Sequence, residues 1–142
     1  MPALVKYDCF VENLAEKVHN LGADTLKAAL TNTAPTAASD TVWNSATTAP
    51  PPAAANGYTT GGNTLVVTSS AQTSGTYKLV ITDSVFTASG GSIGPFRYVI
   101  VYNSTASNAV IGYYDYGSSI TLATGETFTI DFDGSDGVLT IA

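Results

Sequence analysis

The chain has 142 residues and a mass of 14.6 kDa, which suits one compact domain, 1–142, rather than two. Charged residues make up only 11% of it, and its five Lys and Arg form no cluster, so the composition argues against nucleic-acid binding and against a basic face for membrane lipid. Its 21 Thr and 13 Ser, with 44% apolar residues, indicate a folded, β-rich domain.

The first residues predict one short helix over 8–21. Asp8 is suited to cap it, and Gly22 to end it. Its apolar residues recur at helical spacing. His19 follows Glu12 and Glu16 on one face, where we expect a solvent-facing polar stripe rather than a metal site. No basic segment with an apolar run precedes this helix, so we expect synthesis and use without export.

A long Ala, Pro and Thr-rich segment, 32–63, follows a predicted strand at 25–31. It contains the only tryptophan, Trp43, and three consecutive prolines, which favour an extended course. Connections of this length in compact domains are binding loops, covering arms or linkers. We call it the arm. Trp43 either pins the arm to its own domain or reaches a partner.

Residues 64–142 are predicted to form a strand-rich core, at the spacing typical of a sandwich or barrel. Phe128, Ile130 and Phe132 alternate with polar residues, which predicts one buried and one exposed face. The segment from Phe96 is apolar on both faces, with Phe96 expected on the same side as Tyr98, and should be central. The predicted strands are 64–69, 76–83, 84–88, 96–103, 109–114, 118–122, 126–132 and 138–141.

Little in the sequence supports catalysis. It has one histidine and one cysteine, and neither a Gly-x-Ser-x-Gly elbow nor a phosphate-binding loop. The acidic, glycine-containing segment 131–137 resembles part of a calcium loop but lacks the closing glutamate, and a hairpin turn explains it better. We therefore predict no enzyme, no catalytic or metal-ligating residue and no cofactor.

Three tyrosines, Tyr113, Tyr114 and Tyr116, surround Asp115 beside a predicted turn at 117–118. Neighbouring residues of a strand point to opposite faces, so Tyr113 and Tyr114 cannot both enter the same core. One of the two rings should therefore lie at a surface or an interface, where a ring with a polar tip is favourable.

Several segments resemble small structural proteins of tailed-bacteriophage virions, of the cement or decoration type found in short-tailed Bordetella phages. The segments are 6–15 (KYDCFVENLA), 29–35 (ALTNTAP), 94–99 (GPFRYV), 111–119 (IGYYDYGSS) and 125–127 (GET). The resemblance implies an antiparallel, jelly-roll-like β-sandwich on the outside of an icosahedral capsid. It also implies that the protein stabilises contacts between major capsid proteins, and it brings no catalytic residues.

The sequence-based hypothesis is thus a non-enzymatic virion protein, made in the host cytoplasm, that binds major capsid protein and forms a homo-oligomer on the capsid surface. The alternatives are a carbohydrate- or receptor-binding module of a phage tail, and a structural component of the tail or neck. The residues predicted to contact partners are aromatic or proline residues of the arm and the tyrosine group: Trp43, Pro50, Pro51, Pro52, Tyr58, Tyr113, Tyr114 and Tyr116.

Overall fold

The structure is a computed structural model that describes residues 2–44 and 52–142. These residues form a mainly β fold with one short helix, in keeping with the composition. The elements in chain order are β1 (Val5–Lys6), α1 (Cys9–Ala15), β2 (Leu26–Thr31), β3 (Asn63–Thr64), β4 (Val67–Thr73), β5 (Thr76–Ile81), β6 (Ser84–Thr87), β7 (Ile93–Asn103), β8 (Ala109–Leu122), β9 (Thr127–Ile130) and β10 (Leu139–Ile141).

The described strands form three antiparallel sheets. Their orders are β1-β8-β7-β2-β3, β10-β5-β4 and β6-β9. β7 lies between β8 and β2, with Val99 opposite Tyr114 on one side and Leu30 on the other. The prediction of a central strand covered on both faces is therefore confirmed for β7.

The main core receives side chains from all three sheets. Val99 and Val101 enter it from the five-stranded sheet, Leu79 from the three-stranded sheet, and Phe86 and Ile130 from the two-stranded sheet. We call this side of the five-stranded sheet its inner face. The opposite, outer face carries a second apolar cluster, formed by Tyr7, Ala29, Trp43, Ile100, Tyr102 and Val110.

The side chain of Phe96 lies on the inner face, not beside Tyr98 as simple alternation predicts. The pairing of β7 with β8 shifts register between Phe96 and Tyr98. An extra residue in one strand reverses the face of every residue beyond it. Phe96 therefore joins Val99 and Val101 in the main core, whereas Ile100 belongs to the outer cluster.

The helix is shorter than predicted. It ends at Ala15 because Lys17 adopts a left-handed conformation with φ 66°, and the N–H of Val18 turns back to the carbonyl of Asn13. Asp8 precedes the helix but its side chain forms no capping hydrogen bond. The prediction of a helix over 8–21 is therefore wrong beyond Ala15.

Two turn predictions are also wrong. β8 continues through the predicted turn at 117–118, with Gly117 at φ 85° within the strand.

Segment 131–137 is not a hairpin, because β9 pairs with β6 whereas β10 pairs with β5. It crosses between sheets, and its Asp133 carboxylate accepts the N–H groups of Ser135 and Asp136, each at 2.7 Å. Those two bonds lower the pKa of Asp133.

Candidate partner-binding surface

The first part of the arm is bound to its own chain. The N–H of Asp8 donates to the carbonyl of Ala37 at 3.0 Å, and that of Val110 donates to Thr41 at 3.2 Å. The N–H of Trp43 donates to the carbonyl of Asn108 at 2.8 Å. These bonds hold the arm along the start of β8 and the start of α1, so it does not extend freely up to residue 43.

Trp43 pins the arm to the outer face. Its indole is buried and stacks on Tyr102, with ring centroids 4.8 Å apart and planes 11° apart. The Tyr102 hydroxyl donates to the carbonyl of Gly61 at 2.8 Å, near the other end of the arm. One aromatic pair thus ties two separate parts of the arm to the sheet, and Trp43 lies in its own domain rather than reaching outward.

Tyr58 fastens the returning part of the arm. Its buried hydroxyl accepts the N–H of Leu30 at 3.1 Å, and its ring lies 5.8 Å from that of Phe86. β3 pairs only with Lys27 and Ala28, so the Tyr58 hydroxyl completes the edge of β2 where β3 no longer reaches. Desolvation raises the pKa of Tyr58 to about 12.

Pro52 is buried. Pro50 and Pro51 lie outside the described residues, so their predicted partner contacts stay predictions.

The tyrosine group divides between the two faces of β8, as alternation predicts. Tyr114 is buried in the main core, and Tyr116 packs on the same inner side with its ring 4.9 Å from Phe128. Burial raises the pKa of Tyr116 to about 12. Tyr113 lies on the outer face and is half-buried, with its ring 5.4 Å from Tyr7 and 6.3 Å from Tyr98. Of the three, Tyr113 is the one on the outer face.

An ion pair borders Tyr113. Arg97 donates from Nε to Oδ1 of Asp115 at 2.7 Å and from its terminal nitrogen to Oδ2 at 2.8 Å. Both side chains are 37% exposed, and the guanidinium lies 5.1 Å from the ring centroid of Tyr98. The hydrogen bonds from Arg97, followed by that from the Gly117 N–H, lower the pKa of Asp115. We call Arg97, Tyr113 and Asp115, together with the buried ring of Tyr98, the tyrosine surface.

Sequence analysis missed two members of this surface, Arg97 and Tyr98. They meet Asp115 and Tyr113 because β7 pairs with β8 with Tyr98 opposite Asp115. The register shift beside Phe96 also places Arg97 next to Asp115. A bulge has no clear signal in one sequence, so residue spacing alone does not find this grouping.

His19 is buried rather than solvent-facing, because the chain turns inward after α1. Its Nδ1 lies 3.2 Å from Nδ2 of Asn103, which also donates to Asp24 at 2.6 Å, while Oδ1 of Asn103 accepts the N–H of Ala106. These bonds orient the amide so that Nδ2 donates to His19. Nδ1 is therefore the acceptor, and neutral His19 carries its proton on Nε2. Desolvation lowers the pKa of His19, and Asp24 offsets part of that effect.

We expect acid to destabilise the fold through His19. The unfolded chain protonates this side chain near pH 6.5, whereas the folded chain, with its lower pKa, does so only at lower pH. The unfolded state then binds more protons, so the free energy of unfolding should fall by about 1 kcal/mol per pH unit below pH 6.5 until the folded pKa is reached.

Urea denaturation at pH 7.5 and 5.5 measures this loss. His19→Asn keeps an acceptor in the place of Nδ1 but does not titrate, so the variant should lose less stability between the two pH values. Equal losses in both proteins would contradict the assignment.

Residues 2–44 and 52–142 contain no group of three His, Cys, Asp or Glu side chains placed to hold a metal ion. Their one helix is too short to cross a membrane.

No protein-family model matches the chain, and searches of curated proteins and of solved structures found no match.

Proposed function

We propose that this chain is a non-enzymatic structural protein of a tailed-phage virion, which binds the outer capsid surface and stabilises contacts between major capsid proteins. In this proposal its sheets form a jelly-roll-like sandwich, and several copies assemble on the capsid. The protein is made in the host cytoplasm, needs no cofactor, and acts without nucleic acid or membrane.

The observation that carries the proposal is the tyrosine surface. Tyr113 is half-buried and packs against the rings of Tyr7 and Tyr98, so little side-chain entropy remains to be lost when a partner covers it. Arg97 and Asp115 form an exposed polar rim beside it. Tyr and Arg are the residue types enriched at protein–protein interfaces and at their energetic centres.

The attachment of the arm also favours a structural role. Trp43 stacks on Tyr102 at the outer face, and Tyr58 bonds the edge of β2, so the described parts of the arm are already held before a partner arrives. A rigid module that contacts more than one capsid subunit gains effective concentration, so each single contact can be modest.

Co-sedimentation with expanded, undecorated capsids of the encoding phage tests this proposal. We expect the wild-type chain to bind and Tyr113→Ala to bind about 30-fold more weakly, since loss of a central interface tyrosine costs about 2 kcal/mol. Arg97→Glu, which places like charges beside Asp115, should also weaken binding. Deletion of the arm would be a poorer test because it removes Trp43 from the fold.

Val85→Ala is the matched control. Val85 is 49% exposed on β6, in a different sheet from the tyrosine surface, so its truncation should leave capsid binding unchanged. Thermal unfolding of each variant verifies that the fold is intact. Unchanged binding by a folded Tyr113→Ala variant would remove the tyrosine surface from the proposal, and absence of wild-type binding would refute the capsid role.

The tyrosine surface also favours a second function, carbohydrate binding at a phage tail. A half-buried ring next to a carboxylate, as in Tyr113 and Asp115, resembles the stacking and hydrogen-bonding partners that sugars use. Specific binding on a glycan array without capsid binding would support this alternative. Location of the protein at the tail or neck by electron microscopy, without sugar binding, would support a structural component there.

A further inference from the structure

β4 is an unusually long free sheet edge. It is the end strand of β10-β5-β4 and spans seven residues, whereas each of the other edge strands in the described chain has four residues or fewer. Most of its side chains are exposed. Proteins usually protect such edges by keeping them short, by a β-bulge, or by placing Pro or Lys in them. β4 has neither residue, and its one register shift lies at its start, between Val67 and Ser69.

The backbone groups on this edge are arranged for pairing. The two-residue turn at Ser74 and Gly75, both at positive φ, makes Thr73 and Thr76 a hydrogen-bonded pair. Alternation along an antiparallel strand then directs the N–H and carbonyl groups of Gln72 and Ser70 away from β5. Among the described residues, no backbone hydrogen bond from another segment fills this side.

The strand itself carries no charged residue. The chain carries a net charge of −6, yet residues 41–77 contain no Asp, Glu, Lys or Arg. β4 of one copy therefore brings no charged side chain of its own against β4 of another. The absence of charge and of proline is one of the features typical of segments that associate strand to strand.

We propose that β4 pairs antiparallel with β4 of a second copy of this chain. With the two-fold axis at Ser70, the outward groups of Ser70 face those of its counterpart, and Ser69 lies opposite Ala71 of the partner copy. The two three-stranded sheets then join as one six-stranded sheet. A second copy fits because a neutral edge pairs with itself about a two-fold axis. This inference does not depend on capsid binding, since the dimer forms in purified protein.

Paired charge variants test the register. Ser69 and Ala71 are exposed, and neither side chain takes part in the hydrogen bonds of the described fold. In Ser69→Glu/Ala71→Glu the dimer would bring two carboxylates together on each side of the axis. In Ser69→Lys/Ala71→Glu it would bring opposite charges together. Both variants keep Glu at 71, opposite Lys78 within the same chain.

Sedimentation equilibrium should show a dimer for the wild type and for Ser69→Lys/Ala71→Glu, and a dimer dissociation constant at least about tenfold higher for Ser69→Glu/Ala71→Glu. Thr140→Lys on the opposite edge strand, β10, should leave the dimer unchanged. Circular dichroism and thermal unfolding verify that each variant is folded.

Hydrogen exchange gives a second readout that does not rely on substitution. The amides of Ser70 and Gln72 should exchange more slowly at concentrations where the wild type is dimeric than at concentrations where it is monomeric. A wild type that stays monomeric up to roughly 1 mM would overturn the inference. So would a folded Ser69→Glu/Ala71→Glu variant that dimerises as tightly as the wild type.

Discussion

Replacing Gly62 by alanine should cost about 4 kcal/mol or more of the free energy of unfolding, or prevent folding. Gly62 has φ 71°, and a Cβ there would overlap the carbonyl oxygen of Ala28 and lie 2.8 Å from the Cα of Ala29. Those atoms belong to β2, which is held by β7 on its other side, so the backbone has little room to move away. Urea denaturation of the variant measures the loss.

Gly90→Ala separates backbone conformation from steric overlap. Gly90 has a similar φ of 79°, but a Cβ there would meet no atom within 4 Å. Its replacement should lower the free energy of unfolding by about 1 kcal/mol, because a left-handed conformation is strained in a residue with a side chain. If both variants lost similar amounts of the free energy of unfolding, the close approach of Gly62 to β2 would not be the cause of the loss in Gly62→Ala.

Trp43→Ala should lower the free energy of unfolding by about 3–5 kcal/mol, the usual cost of truncating a buried aromatic side chain. The variant loses the stacking on Tyr102 and opens a cavity in the outer cluster. Because Trp43 fastens the arm, limited proteolysis with proteinase K should also cut the variant faster near residues 36–44. Circular dichroism follows unfolding, since the only tryptophan has been removed.

Trp43→Phe is the matched comparison. The indole Nε1 of Trp43 is buried and has no hydrogen-bond partner among the described residues, so phenylalanine gives up no hydrogen bond and retains a ring against Tyr102. We expect a loss under about 2 kcal/mol and little change in proteolysis. If alanine were tolerated as well as phenylalanine, Trp43 would not be the anchor of the arm.

The parts of the fold that the sequence predicted best are those with a strong local pattern. β9 and the residues after it show the predicted alternation, with Ile130 and Phe132 buried and Thr129 exposed. β7 is apolar on both faces and is central, as expected. In both strands the side-chain period is set by the backbone itself, so the sequence carries the information within a few residues.

The errors arise where a distant contact outweighs the local pattern. The apolar spacing continues helically as far as Leu21, yet the helix ends at Ala15 and the chain buries His19 against Asn103, more than eighty residues away. Burial and hydrogen bonding in tertiary contacts outweigh the small propensity differences that favour one more helical turn.

In the candidate site, too, the sequence predicted what depends on the local pattern and missed what depends on distant contacts. Sequence reasoning placed Tyr113 and Tyr114 on opposite faces, and this is confirmed. It could not assign which face was open, nor bring Arg97 to Asp115, because both depend on the register of β7 against β8. Trp43 and Tyr58 were singled out as aromatic residues in a small-residue segment, and the structure buries both in the chain's own cores.

The sequence by itself determined the β-rich class, the alternation along the strands and the position of a long arm, because composition and side-chain period act over neighbouring residues. Only the tertiary structure decided where the helix ends, which face Phe96 occupies and where the arm is fastened. Those features depend on strand register and on contacts between residues far apart in the chain. The free energy of such contacts cannot be deduced from a short stretch of sequence.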